Sequence, residues 1–511
     1  MKTLTFILTG LLILDNICAL SQAGSLDTSF GTNGKVIKPP KGVPGTYEHS
    51  MVLQPDGKIL FAGGIHAGVN SDFFLVRYKQ NGSIDKSFGL EGKVVTDFGS
   101  DESANAVAVQ TNGKIVLAGS SNNNFALARY DPDGSLDSSF GTDGKVITSF
   151  NDPDHSRSSE IYSVAIQPDG KIVAAGSAYD VSGASGFGLV RYKTDGSPDS
   201  SFGENGKVIT VITNSDNAFS LAIQPDGKIL AAGRSNYRSA LARYKSNGKL
   251  DNKFGSGGIA LTGFGFYCDT YAMAVQPDSK VVIAGFLLVA STHPADFALF
   301  RYLPNGVADS SFGDGGHVNT DFDNNDDFAS SVAVQPDGKI VVAGYSQDPI
   351  GNFALARYTQ KGKPDKTFGI NGKVVTDVGG DDYGSSVALQ SDGKIVVGGS
   401  LAGKFALVRY KGDVATGSDH INNIPSNIIS DHSAVLRIYP NPIQSVLNIE
   451  FKNVASSEKT INIYDVNGKP LLSRSAEGNT QLDVKQLTPG TYLIKIYENG
   501  KDLYSGKVIK Q

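Results

Sequence analysis

Tryptophan is absent from this 511-residue sequence, methionine occurs three times and cysteine twice. Cys18 lies in an apolar N-terminal stretch, which leaves Cys268 as the only thiol of the remaining chain. One thiol cannot close an intramolecular disulfide, so burial and backbone pairing must hold the fold together. Charge is scarce too: 19% of residues are charged and the net charge is −5, which gives no electrostatic case for nucleic acid or an anionic membrane surface. Beyond the N-terminus, no stretch reaches the roughly 18 uninterrupted apolar residues of a transmembrane helix. Gly-x-Ser-x-Gly, His-Glu-x-x-His, Cys-x-x-Cys and a phosphate-binding glycine loop do not occur. The seven histidines (49, 66, 155, 293, 317, 420 and 432) form no close pair, which argues against zinc.

Glycine, by contrast, is abundant at 60 residues. With so few long apolar runs, that composition points to many short strands joined by tight turns. The N-terminus reads as an export signal: Lys2 is followed by an apolar stretch over 4–14 and then Ser21-Gln22-Ala23, which places cleavage after Ala23, with Ala19 as the second choice. Ile17 before Cys18 stands where a lipoprotein signal needs a small residue, so a lipid anchor is not expected.

Internal repetition dominates the rest. Gln-Pro-Asp-Gly-Lys or a near variant begins at Gln54, Gln110, Gln167, Gln224, Gln276, Gln335 and Gln390. An Arg-Tyr pair follows each copy, at Arg77, Arg129, Arg191, Arg243, Arg301, Arg357 and Arg409. Asp-x-x-Phe-Gly places its Phe at 30, 88, 140, 202, 254, 312 and 368. Three markers each count seven, spaced 52 to 62 residues apart. Within one unit, strands are expected over 105–110, 114–118, 125–130 and 145–148, with Thr111-Asn112-Gly113 as a tight turn. Four short strands repeated seven times predict an all-β, seven-bladed β-propeller of four-stranded blades. The segment 34–37 reads as an outermost strand that would pair with 405–410 and latch the ring, removing free sheet edges.

The units resemble the delta-60 bacterial propeller repeat and, more loosely, NHL-type blades. The resemblance rests on Val107-Ala108-Val109-Gln110, Ile115-Val116-Leu117-Ala118-Gly119, Ala126-Leu127-Ala128-Arg129-Tyr130 and Asp133-Gly134-Ser135-Leu136-Asp137. It implies a fold and no common activity. After a polar linker, Tyr439-Pro440-Asn441-Pro442, Ile461-Asn462-Ile463-Tyr464-Asp465, Leu487-Thr488-Pro489-Gly490-Thr491-Tyr492 and Lys507-Val508-Ile509-Lys510 read as a small Ig-like β-sandwich. This tail resembles the type A C-terminal sorting domain of the type IX secretion system. That resemblance implies the secretion machinery as a partner and passage to the cell surface or medium. The expected organisation is a signal peptide over 1–23, the propeller over 24–411, a linker over 412–434 and the sorting domain over 435–511.

A residue present in all seven units is architectural, since a single site needs it once. The seven repeated arginines fall in this class, with Arg129 expected between blades and Asp137 as its partner. Connection lengths distinguish the two faces: the first and third connections barely vary, whereas the second and fourth do, and variable loops on a rigid scaffold are where binding is expected. On that face one sector departs from the repeat. It offers Arg234, Tyr237, Arg238, Phe266, Tyr267, Asp269 and His293, together with an apolar run over 286–290, and aromatic and arginine side chains are typical anchors for a glycan or protein ligand. The same sector carries Ser239 for a recurrent Phe and Ser279 for a turn Gly. An acid-rich loop with Asp321, Asp323, Asp326 and Asp327, echoed by Asp97, Asp101, Glu102, Asp381 and Asp382, reads either as a calcium site or as solvated turns. No other cofactor is indicated. A secreted binding protein is thus expected, with a hydrolase or lyase using carboxylates from different blades, or a spacer without a small ligand, as the alternatives.

Overall fold

Each repeat folds into one antiparallel four-stranded sheet, and the reason is visible in the second repeat. Glu102–Val109, Ile115–Ser121, Asn124–Tyr130 and Lys145–Thr148 pair in chain order through Val109↔Ile115, Ile115↔Tyr130 and Ala128↔Lys145. The two middle strands are almost wholly buried, as their unbroken apolar runs require. This computed structural model describes residues 22–37, 46–66, 70–150, 157–262, 267–288, 294–348, 350–413, 435–439, 445–452, 458–464, 470–488, 490–498 and 501–510. The 1–21 segment expected as a signal, most of the linker and the Pro440-Asn441-Pro442 motif lie outside the described residues. The chain divides into two units, Met1–Thr416 and Gly417–Gln511.

The first unit holds seven such sheets. The first strands of adjacent sheets pack against one another all round the ring, so they are innermost. The last sheet takes its fourth strand from the N-terminal segment: Lys35 pairs with Val408 and Val36 with Leu407. The ring is therefore a seven-bladed propeller latched by its own N-terminal strand, which gives the last blade a short outer strand like those of the other six.

The Arg-Tyr pair explains how neighbouring blades hold together. Adjacent residues of a strand point to opposite faces, so one side chain reaches forward and the other back. Arg129 Nε donates to Asp137 Oδ2 at 2.6 Å, and its Nη1 reaches the Thr194 carbonyl of the next blade. Its guanidinium carbon lies 4.4 Å from the centre of the Phe140 ring. Tyr130 is buried and bonds Thr96 of the preceding blade at 2.7 Å. Equivalent Arg–Asp pairs join Arg77 to Asp85, Arg191 to Asp199, Arg243 to Asp251, Arg301 to Asp309, Arg357 to Asp365 and Arg409 to Asp27. Arg357 departs in one detail: its forward contact is the Asp413 carboxylate at 2.6 Å.

The innermost strand of the second blade begins at Glu102, three residues before its expected start, because it carries a bulge. Its register slips between Ala104 and Ala106, so Asn105 is an extra residue. The same slip places an extra residue at 162, 219, 271, 330 and 385. The recurrent Gly of the second strand belongs to this device: a Cβ on Gly119 would lie 1.8 Å from the Ser103 carbonyl oxygen.

In the second unit, Val435–Tyr439, Val446–Lys452 and Thr480–Asp483 form one sheet. Pro470–Ala476, Lys459–Tyr464, Gly490–Glu498 and Lys501–Lys510 form the other. Leu447, Ile449 and Leu482 of the first sheet share a core with Ile461, Ile463, Ile494 and Val508 of the second, which makes a small β-sandwich. No helix among the described residues is long and apolar enough to cross a membrane.

Candidate ligand-binding site

The bulges decide which side chains stand on the inner wall near the variable face. Asn105, Tyr162, Phe219, Tyr271, Ser330 and Ser385 occupy one equivalent position, and their chemistry changes from blade to blade. Three successive blades place aromatic rings there. The rings of Tyr162 and Phe219 are 5.0 Å apart, and those of Phe219 and Tyr271 are 5.3 Å apart. The row continues from Tyr271 to Phe286 (6.1 Å), Phe328 (4.9 Å), Tyr345 (5.1 Å) and Tyr383 (4.8 Å). It thus crosses the third to the seventh blade. All of these rings except Phe286 are only partly buried.

Polar groups sit in the middle of this row. Asp269 is buried, and its Oδ2 accepts from the Tyr267 hydroxyl at 2.9 Å and from Arg234 Nη1 at 3.3 Å. Its Oδ1 and the Arg234 Nε are buried without a hydrogen-bond partner. Burial raises the Asp269 pKa, an effect that Arg234 and the Tyr267 hydroxyl partly offset. The Arg234 guanidinium lies 6.0 Å from the centre of the Phe219 ring. Glu160, beside Tyr162, accepts from that hydroxyl at 3.0 Å and from Asn105 Nδ2 at 2.8 Å.

Several residues singled out in the sequence converge here, although not all on loops. Tyr267 and Asp269 lie in the innermost strand Tyr267–Val275, and Arg234 is the penultimate residue of the strand Ile229–Ser235. Phe286 and Leu287, expected in a connection, are buried in the strand Val281–Leu288 because their run continues the apolar core. Tyr237 is 60% exposed, stands at φ 66° in a tight turn and packs its ring 5.0 Å from that of Tyr267. A bulky residue in the left-handed region is uncommon; the corresponding hairpin of the second blade uses Asn123. Arg238 is exposed at the start of the next strand. Phe266 and His293 lie outside the described residues. Tyr162, Phe219, Tyr271, Phe328, Tyr345 and Tyr383 were missed, yet their signal was present: they stand at positions that differ among units, inside strands whose other residues recur.

The acidic loop is arranged differently from its sequence grouping. Asp323 is exposed at φ 67°, and Asp326 Oδ1 accepts from the Ala295 N–H at 2.8 Å. Neither joins Asp321 and Asp327. Asp296, from the strand Asp296–Tyr302, does: one oxygen from each of Asp296, Asp321 and Asp327 lies within 4.8 Å of the others. Burial raises the Asp327 pKa to about 7, with Asp321 and Asp296 adding to the effect against the Ser346 hydroxyl and the Phe322 N–H. Asp72, Asp97 and Glu102 form a similar group between the first and second blades.

A closed ring of blades with an unrepeated inner wall, followed by a separate small sandwich, places the chain among the β-propeller repeat proteins with an appended domain. Comparison with known families names both parts. The family described as a domain of unknown function (DUF5122) beta-propeller matches seven times, at 54–88, 110–140, 167–202, 224–254, 276–312, 335–368 and 390–413. A secretion system C-terminal sorting domain matches 437–511, and a WD domain, G-beta repeat, matches 144–180. The chain belongs to this β-propeller repeat family and ends in a sorting domain that directs it to the cell surface or extracellular space by type IX secretion. No curated protein matches the chain. Among solved structures it is similar to Sqt1 from Chaetomium thermophilum (12% identity, TM-score 0.41, covering 74% of this chain and 100% of that one). A protein of unknown function from Dyadobacter fermentans is similar to the same degree (12% identity, TM-score 0.42, 74% and 98%).

Proposed function

We propose that the protein is an exported binding propeller that holds a saccharide chain along the aromatic row of its variable face. On this reading residues 1–23 are removed as a signal peptide, 24–411 form the working domain, 412–434 link it to the tail, and 435–511 address it to the secretion machinery. The observation that carries the proposal is the run of rings from Tyr162 to Tyr383, partly exposed and placed at unrepeated positions. Ring faces cover the C–H surface of sugars, while Arg234, Asp269 and Glu160 supply groups for hydroxyls. A saccharide fits that mixture better than a purely apolar ligand does.

The test is a glycan array on the purified propeller followed by titration of each hit. Phe219→Ala or Tyr271→Ala is expected to weaken binding by about 1–3 kcal/mol. Asp133→Ala, on the opposite face, is expected to leave it unchanged. Array hits that both aromatic variants bind normally would refute the assignment. A second reading, a glycan hydrolase or lyase, is favoured by Asp269, whose raised pKa and unpartnered oxygen suit a general acid. Turnover of an array hit that Asp269→Asn abolishes would select that reading.

A further inference from the structure

The socket between the second and third blades, on the variable face, lacks a group that four other sockets have. In those four, an acid three residues before the bulge of the innermost strand caps the incoming connection. Glu102 Oε2 accepts from the Phe98 N–H at 3.2 Å, and Asp216 Oδ2 from the Ile212 N–H at 2.6 Å. Asp327 Oδ2 accepts from the Phe322 N–H at 2.6 Å, and Asp382 Oδ2 from the Val378 N–H at 2.5 Å. All four acids are buried. The donor lies each time two residues beyond the outermost strand of the preceding blade.

In the third blade Ser159 takes the place of the acid, and Phe150 is the matching donor residue. The chain around them keeps the common arrangement. The Phe150 ring packs 4.9 Å from that of Phe125, as Phe98 and Phe322 each pack 5.0 Å from Phe73 and Phe297. Lys207 donates to the Ser149 carbonyl at 2.6 Å, as Lys145 does to the Asp97 carbonyl at 2.6 Å. The Ser159 N–H donates to the Asn123 carbonyl at 2.9 Å, as the Asp327 N–H does to the Ala295 carbonyl at 2.6 Å. The side chain is what differs. A serine hydroxyl is shorter than a carboxylate, and no acceptor among the described residues bonds the Phe150 N–H. A cavity of about 210 Å³ lies here, around the buried Phe150 and Ser159. Asn122, Asn123, Asn124, Ser149 and Arg157 complete its wall, which among the described residues holds amide, hydroxyl and guanidinium groups and no carboxylate.

We propose that this cavity binds the carboxylate of a small acidic ligand, in the place that the chain's own acid fills in the four other sockets. A buried backbone N–H without an acceptor is unfavourable, and an ionised oxygen makes the stronger bond to it. The other sockets demonstrate that a planar carboxylate fits against this donor. The site is independent of the saccharide reading, since free acetate already carries the group it needs.

Melting curves and ligand-observed NMR on the full-length protein, titrated with sodium acetate and sodium glucuronate, test it; sodium chloride, sodium sulfate and glucose are the controls. Acetate and glucuronate are expected to bind saturably and to raise the melting temperature. Glucose and chloride should do neither, and sulfate should bind more weakly than acetate. Glucuronate binding tighter than acetate identifies an acidic sugar as the source of the group; glucuronate binding no tighter identifies a free carboxylic acid. Ser159→Asp supplies the missing acid internally, so it should melt above the wild type and lose about tenfold or more in acetate affinity. Arg157→Ala leaves the buried wall intact and should also weaken acetate binding, which gives a second reading if Ser159→Asp does not fold. No saturable acetate binding by the wild type, sulfate binding tighter than acetate, or acetate binding retained in both variants would overturn the proposal.

Discussion

Arg409 and Asp27 are 382 residues apart in sequence, yet Arg409 Nε donates to Asp27 Oδ2 at 2.9 Å in the same buried pair that six other blades make eight residues apart. The seam of the ring therefore repeats the local chemistry of every blade, and the last blade borrows its acid from the start of the chain. Truncating Asp27 leaves the Arg409 guanidinium buried without a carboxylate, and truncating Arg409 leaves Asp27 with only the more distant Lys394 Nζ at 3.4 Å and empties the buried space that the guanidinium filled. Arg409→Ala is expected to cost about 3–5 kcal/mol, much as Arg129→Ala does, whereas the exposed Arg238→Ala should cost well under ~1 kcal/mol. Urea unfolding of the three variants checks this, and equal small losses would mean that the repeated pair contributes little.

Acid should undo these pairs in a defined window. Six of the seven acids (Asp27, Asp85, Asp137, Asp199, Asp309 and Asp365) have pKa values below the ordinary 3.8. Burial alone would raise them; hydrogen bonds from the Ser or Thr two residues on, and the attraction of Arg and Lys, outweigh it. A carboxylate with a depressed folded value adds stability that is complete above its unfolded value and lost as pH falls towards the folded one. Melting temperature is therefore expected to show no loss from these acids between pH 7 and 5 and to drop steeply below about pH 4. A Tyr–Thr staple carries no such charge, so Tyr192→Phe should cost about 1 kcal/mol at either pH through the lost bond to Thr148.

The separation of the two units leads to an export prediction. The propeller closes on its own through Lys35–Val36, and the sandwich has its own core. Deleting 435–511 should leave a folded propeller that accumulates in the periplasm, with the melting curve of the released domain. Appearance of the truncated protein in the medium would contradict the address role of the tail.

Much of this was legible because repetition acts as an internal comparison. Arg129 and Asp137 recur in register, which is why the sequence suggested them as partners; the bond from Tyr130 to Thr96 of the preceding blade was not foreseen. The bulge at Asn105 could not be read from the sequence, since one extra residue in a strand leaves the apolar alternation on either side intact. Missing it hid the equivalence of Tyr162, Phe219 and Tyr271, the three rings that begin the aromatic row. Asp296 was overlooked for another reason: it lies 25 residues before Asp321, on a strand, and only the blade-to-blade packing brings them together.

The length of the aromatic row makes the final prediction. Rings from Tyr162 to Tyr383 follow one another at 4.8 to 6.1 Å across five blades, so a short ligand covers only part of the row. Each further sugar that meets a ring adds contact without a second loss of translational freedom, so affinity should rise with chain length until the row is filled. Variants at the two ends should then behave differently from those in the middle. Tyr162→Ala and Tyr383→Ala are expected to weaken only the longer oligosaccharides, while Tyr271→Ala, beside Arg234 and Asp269, should weaken all of them. Titrating a size ladder of one array-identified glycan against the three variants measures this directly. A monosaccharide that binds as tightly as the longest member would restrict recognition to a single pocket and remove the extended row from the site.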